Sequence, residues 1–227
     1  MSGSAYANRS KLRALLGNEL CDRLRGKVVI DFGCGSGRDS VEMARRHGVR
    51  RVIGIDIQEP LLDRARELAA SEGVSKICEF GASADARADV IVSVDAFEHF
   101  ADPAAVLDEM WGLLKPGGTV LASFGPTWYH PLGGHLFSVF PWAHLVFSES
   151  GLIRWRSDIR RDGAARFSEV AGGLNRMTIG RFERIVRSSR FRLARLETVP
   201  IRSLRMVHTR ITREFTTAIV RAVLAKT

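Results

Sequence analysis

A chain of 227 residues with 45% hydrophobic residues suits one globular domain, or one domain carrying an insertion, with a core of good size. Cys21, Cys34 and Cys78 are odd in number and lack zinc-like spacing, which argues against a disulfide framework and a structural metal. No apolar run of signal-peptide or membrane-spanning type occurs, so a cytoplasmic protein with reduced, mostly buried thiols is expected. Charge is divided, because residues 1–150 hold 16 Lys/Arg against 19 Asp/Glu whereas residues 151–227 hold 18 against 6. By charge alone the basic part fits nucleic acid, an anionic membrane or an acidic substrate. Arg outnumbers Lys 29 to 5, however, a bias that a GC-rich genome imposes without selection for polyanions, and solvated helix faces are the expected use.

Residues 10–25 read as an N-terminal helix. From Gly26 the pattern becomes strand, turn, helix, repeated. VVIDF (28–32) is a strand, GCGSG a turn, and RDSVEMARRHG (38–48) a helix stopped by Gly48. RVIGIDI (51–57) is a second strand, followed by a helix with Pro60 in its first turn and Gly73 at its stop. DVIVSV (89–94) is apolar enough to be buried on both faces, as parallel strands are. A helix starting at Asp102 and Pro103 leads through LKPGG to the strand TVLASF (119–124). Helices over 152–161 and 174–189 and strands over 191–201 and 215–226 complete the chain. Such alternation means an open α/β sheet.

Asp31-x-Gly33-x-Gly35-x-Gly37 falls where the first strand turns into its helix. Glycine there permits positive φ and close approach of a ligand to bare backbone. Asp56 follows at the end of the second strand, where a carboxylate accepts from both hydroxyls of a ribose. Turn plus acid indicates a nucleoside cofactor, nicotinamide or adenosyl.

The spacing of the three glycines after Asp31 resembles the first motif of class I S-adenosylmethionine-dependent methyltransferases. GIDIQ (54–58) looks like that family's ribose motif, and residues 89–118, through EHF.DP and LKPGG, look like its fourth strand and the turn after it. The resemblance covers roughly residues 26–124 and its EHF.DP element is typical of the small-molecule branch. It implies a Rossmann-like, mostly parallel sheet with helices on both faces, an antiparallel last strand and a lid inserted after the fifth strand. It divides one domain into a cap (1–25), a cofactor core (26–124), a lid (125–180) and a completion of the sheet (181–227). The implied cofactor is S-adenosyl-L-methionine, held by Asp31, Gly33, Cys34, Gly35, Gly37, Asp56, Ile57, Ser83 and Asp95. Asp31 and the glycine backbone take the methionine end, Asp56 the ribose and Ile57 one adenine face. The family also places an acidic residue after the third strand, where this chain has Ala82 or Ser83, with Asp85 slightly beyond.

FGPTWYHPLGGHLFSVFPWAHLVF (124–147) follows the fifth strand and is longer than an ordinary connection, as lids and binding loops are. Its histidines lie at spacings that match no common metal cluster, and it holds no Asp, Glu or Cys, so no metal site is expected. Methyl transfer to a hydroxyl needs a base, and His135, then His130, then His99 are the candidates. His144 is expected to be a packed ring with one hydrogen bond. Trp128, Tyr129, Phe137 and Trp142, with Phe140, offer an apolar wall for the acceptor, or else plain core. Glu98 and His99 read chiefly as a helix start.

These residues lead to methylation of a small molecule, at oxygen. Alternatives from other classes are an RNA methyltransferase using the basic third and a binding protein that keeps the cofactor fold without catalysis. No nucleic-acid partner is expected, VDAF standing where base N-methylating relatives carry Asn/Asp-Pro-Pro-aromatic. Peripheral membrane contact through residues 136–147 and their basic neighbours is a further use of that surface.

Overall fold

The computed structural model describes residues 10–137, 140–158, 163, 165–169 and 174–227. Seven strands form one sheet: β1 (Val28–Phe32), β2 (Arg51–Ile55), β3 (Cys78–Gly81), β4 (Ala88–Val94), β5 (Leu114–Phe124), β6 (Arg192–Pro200) and β7 (Thr217–Ala225), in the order β3-β2-β1-β4-β5-β7-β6. The first five are parallel, and β7 runs antiparallel to both β5 and β6. The helices are α1 (Lys11–Leu16), α2 (Asn18–Asp22), α3 (Arg38–Arg46), α4 (Glu59–Ser71), α5 (Pro103–Leu113), α6 (Ala143–Val146), α7 (Glu149–Ser157), α8 (Ile179–Ser188) and α9 (Arg213–Thr216). This is the Rossmann-like arrangement the sequence implies, antiparallel last strand included. Among the described residues no helix is long and apolar enough to cross a membrane.

Alternate residues of the central strands feed two cores, as period-two side chains must. Ile30, Ile53, Ile91 and Val120 pack beneath α5 and α8 with Leu107, Phe124 and Phe182. Val29, Val52, Val92 and Leu121 face Leu12, Leu15 and Leu16 of α1 and Met43 of α3. Asp31 of β1 is level with Gly54 of β2 and Val92 of β4. From that point the chain winds outward to β2 on one side and β4 on the other, which opens a crevice at the carboxyl ends of β1 and β4.

Several element bounds differ from the sequence expectation, each for a local reason. The single helix expected over 10–25 is broken at Gly17, whose φ is 88°, giving α1 and α2. The guanidinium of Arg221 on β7 donates to the carbonyls of Leu15 (2.7 Å) and Ala14 (2.9 Å), satisfying the end of α1. Helix α8 begins at Ile179 rather than 174, because residues 174–178 are held out of the helix, with Arg176 in the left-handed region at φ 58°. Asn175 Nδ2 donates to the carbonyls of Phe97 (2.7 Å) and Phe100 (2.8 Å), and Trp128 N donates to Met177 O at 2.7 Å. Thr178 and the carboxylate of Glu214 then cap α8. The Lys-Pro-Gly-Gly turn is absorbed into the start of β5, where the pairing with β4 shifts register between Ala88 and Val90. β7 begins at Thr217, after the short helix α9, and the helix expected over 152–161 is found at Glu149–Ser157, its last expected residues lying outside those described.

Candidate functional site

The glycine turn sits at the mouth of the crevice. Gly33, Gly35 and Gly37 have φ of 81°, 51° and 73°, in the left-handed region that glycine tolerates. Gly37 has a second constraint, since a Cβ there would lie 2.6 Å from Ala65 Cβ on α4. The turn is tied to β2 by Gly33 N and Cys34 N, which donate to Ile55 O at 2.9 and 3.0 Å. Asp56 completes the tie, its Oδ2 accepting from Gly35 N at 2.8 Å and its Oδ1 from Gln58 N at 3.0 Å. Each oxygen keeps a lone pair for a further donor. Next to it Ile57 is 93% exposed, and Ser83 and Asp85 stand exposed in the bend after β3. Burial, followed by the charges of Asp31 and Asp56, raises the thiol of Cys34 well above its ordinary range, which keeps it protonated at neutral pH.

Deeper in, the crevice is acidic. Asp31 is buried and accepts from Ser40 Oγ at 2.5 Å. Burial and then the charge of Asp39, opposed by that hydrogen bond and by Lys11, push its pKa up to about 7. Lys11 Nζ lies 3.1 Å from Asp95 and 3.7 Å from Asp39. Burial alone would lower this ammonium, yet Asp39 and Asp95 outweigh it and hold it above its ordinary value. Two carboxylates, Asp39 and Asp95, therefore converge on one lysine from α1, with the buried Asp31 behind them. Lys11, Asp39 and Ser40 were not foreseen from sequence, since nothing local links α1 to the glycine turn.

The titration of Asp31 has a measurable consequence. The folded chain holds its proton more tightly than the unfolded chain, whose reference pKa is 3.8. The group thus costs nothing below about pH 4 and withdraws stability as pH rises toward about 7, by roughly 4 kcal/mol in all. Urea unfolding of the ligand-free protein across that window is expected to show this slope in the wild type. Asp31→Asn, with no proton to lose, is expected to flatten it; an equal slope in both would remove the assignment.

Above the acidic floor lies the segment after β5. Residues 127–135 coil tightly, and a Cβ on Gly133 would fall 2.4 Å from Thr127 O and 2.3 Å from Trp128 O. His130 Nδ1 accepts from Leu132 N at 2.9 Å, so its lone pair is used within the turn. His144 is buried with Nε2 2.6 Å from Trp128 O and its ring against the indole, the packed ring that was expected. His135 begins a 3-10 turn (His135–Phe137) with φ of 49°, and its Nδ1 lies 3.1 Å from Gly133 O. With the proton on Nδ1, Nε2 is a bare lone pair. Burial, opposed by the Gly133 contact, lowers its pKa to about 4.

His99 faces His135, the ring centroids 5.6 Å apart at 74°. Glu98, buried beside them, accepts from Gly125 N at 3.2 Å. Glu98, Pro126, Trp128, Gly133 and His135 line one narrow crevice with Met177. Of the aromatics expected to form a wall, Trp128 therefore lies at the histidines. Phe137 is buried in a cluster of its own with Phe167, Leu152 and Leu174. Tyr129 stacks on Phe215 at 5.2 Å, and Trp142 Nε1 donates to Tyr129 O at 2.9 Å; both are partly exposed outside that crevice.

Residues 30–122 match the family model of a methyltransferase domain. Over 107 residues the chain is 41% identical to the ubiquinone biosynthesis O-methyltransferase of Neisseria meningitidis serogroup C (strain 053442), covering 44% of each protein. Over 104 residues it is 32% identical to the tRNA 5-carboxymethoxyuridine methyltransferase of Escherichia coli K12, covering 42% of this chain and 39% of that one. The chain thus spans less than half the length of the curated relatives it matches. In fold it is similar over 94% of its length to an S-adenosylmethionine dependent methyltransferase from Mesorhizobium loti, covering 99% of that chain, with a TM-score of 0.60 at 17% identity. The matched segment is thus similar to methyltransferase domains, and the fold is that of an S-adenosylmethionine-dependent methyltransferase.

Proposed function

We propose that the protein transfers the methyl group of S-adenosylmethionine to a hydroxyl of a small molecule. The observation that carries this reading is the seating of Asp56 against Gly35 N, which readies a carboxylate for the ribose beside a turn of bare backbone. Gly33, Cys34, Gly35 and Gly37 line the cofactor, Ile57 and Ser83 flank the adenine, and Asp31 and Asp95 draw in its cationic methionine end. The sulfonium and ammonium of the cofactor suit the carboxylates that Lys11 now bridges.

Transfer is an in-line displacement, so the enzyme chiefly aligns nucleophile and methyl and excludes water. In this reading His135 ionises the acceptor hydroxyl, with His99 beside it and Trp128 against the acceptor's apolar part. His130 is a poorer candidate, because its lone pair already accepts from Leu132 N. Oxygen as the target is supported by the O-methyltransferase named above, which shares the matched segment.

RNA is the second acceptor to test, favoured by likeness to a tRNA methyltransferase and by the basic residues after 150. Incubation with methyl-labelled cofactor and a cell extract, followed by separation of RNA from small molecules, distinguishes them. Label in the small-molecule fraction is expected; label in RNA alone would replace the acceptor class. RNA association is expected to be weak and to vanish near physiological salt, since only counterion release would drive it.

A further inference from the structure

Glu98 is 3% exposed, and while one carboxylate oxygen accepts from Gly125 N, the other, Oε2, is buried with no hydrogen-bond partner among the described residues. A buried oxygen left so is costly, more so when ionised, and calls for a donor or a cation. Two imidazoles stand near this carboxyl group. One carboxylate oxygen of Glu98 and one ring nitrogen each of His99 and His135 lie within 4.8 Å of one another. Glu98 and His99 share one turn and His135 comes from the segment after β5, and the fold holds both in place. Asn175 pins the turn carrying Glu98 and His99 through Phe97 O and Phe100 O, and its backbone N–H donates to Glu98 O at 3.0 Å. The carbonyl of Gly133 orients His135 by taking its Nδ1 proton, the arrangement by which metal-ligating histidines are fixed.

We propose that Glu98, His99 and His135 bind a divalent ion of the zinc or manganese kind, placed where the acceptor hydroxyl meets the methyl group. The location of the acceptor rests on the function proposed above; the metal site is new to it. One carboxylate and two imidazoles suit such ions better than magnesium or calcium, which take oxygen ligands. Three protein ligands leave positions for the acceptor's oxygen, as catalytic sites do. Ligand atoms around an ion at about 2.1 Å stand roughly 3–4 Å apart, so side-chain rotation closes the set.

A hydroxyl coordinated there gives up its proton to solvent near neutral pH. Its oxygen then bonds to the methyl carbon as the carbon–sulfur bond breaks, the electron pair staying on sulfur. His135 thereby ionises the acceptor as a ligand rather than as the proton's destination. The spacing of His130, His135 and His144 could not disclose this, because two of the three ligands lie before β5.

The full chain, stripped with chelator and dialysed, is titrated with zinc chloride and manganese chloride by calorimetry, with and without S-adenosylmethionine. One ion per chain is expected in the wild type. Glu98→Gln and His99→Ala are each expected to bind the ion more than about 100-fold more weakly, with melting temperature and cofactor affinity retained. No stoichiometric ion in the wild type, or equal affinity in both variants, overturns the proposal. Intact cofactor binding in that case would leave the methyltransferase reading standing, whereas loss of cofactor binding in the wild type would defeat that reading instead.

Discussion

Asp56→Ala is expected to weaken S-adenosylmethionine binding by about 1.5–3 kcal/mol, roughly 10- to 150-fold. The carboxylate holds Gly35 N and Gln58 N with one lone pair on each oxygen and offers the other to the ribose. Its removal therefore costs the ribose contacts and also loosens the glycine turn. Asp56→Asn separates the two effects, since an amide retains one acceptor and loses the charge; it is expected to fall between wild type and alanine. Calorimetric titration of the three proteins with S-adenosylmethionine measures this, and equal affinity in all three would remove Asp56 from the cofactor site.

The second large effect concerns turnover. His135→Ala is expected to lower kcat by about 10²–10⁴ while cofactor affinity stays nearly constant. The separation follows from position, because His135 lies in the segment after β5 and the glycine turn lies after β1. A histidine that only packs would lower the melting temperature with little specific loss of turnover. A proton acceptor and a metal ligand differ in one further respect: treating the wild type with chelator reproduces the loss only if His135 works as a ligand.

Much of the fold is written locally. The glycine turn, Asp56 and the runs of β-branched residues lie within single strand-turn-helix units, where spacing translates directly into geometry. The sheet and its antiparallel last strand followed from the resemblance those units carry. What escaped depends on partners far along the chain. Residues 174–178 have a helical pattern, but Asn175 is claimed by the carbonyls of Phe97 and Phe100 and the backbone stays out of the helix. Lys11 reads as an ordinary helix residue until it is found between Asp39 and Asp95.

The histidines teach the same lesson from the other direction. Three of them within one segment drew attention to their mutual spacing. The fold instead spends His130 on a turn and His144 on packing, and pairs His135 with His99 from another loop. Phe137 shows a parallel limit, since an aromatic in a long connection reads equally as pocket wall or as core, and here it is buried against Phe167 at 4.4 Å. Asp102 starts α5 as its sequence suggests, accepting from Ala104 N and Ala105 N, whereas Glu98, which also read as a helix start, lies in the turn before it.

The most direct test of methyl transfer is single turnover. Protein loaded with one equivalent of S-adenosylmethionine is mixed with the small-molecule fraction of a cell extract, and the cofactor is recovered and identified by chromatography and mass. Conversion to S-adenosylhomocysteine, dependent on that fraction and matched by one small molecule that gains a single methyl on oxygen, is the expected result. Recovery of S-adenosylmethionine intact, with the cofactor bound but never consumed in the presence of small molecules or RNA, would contradict it and leave a binding protein in an enzyme's fold.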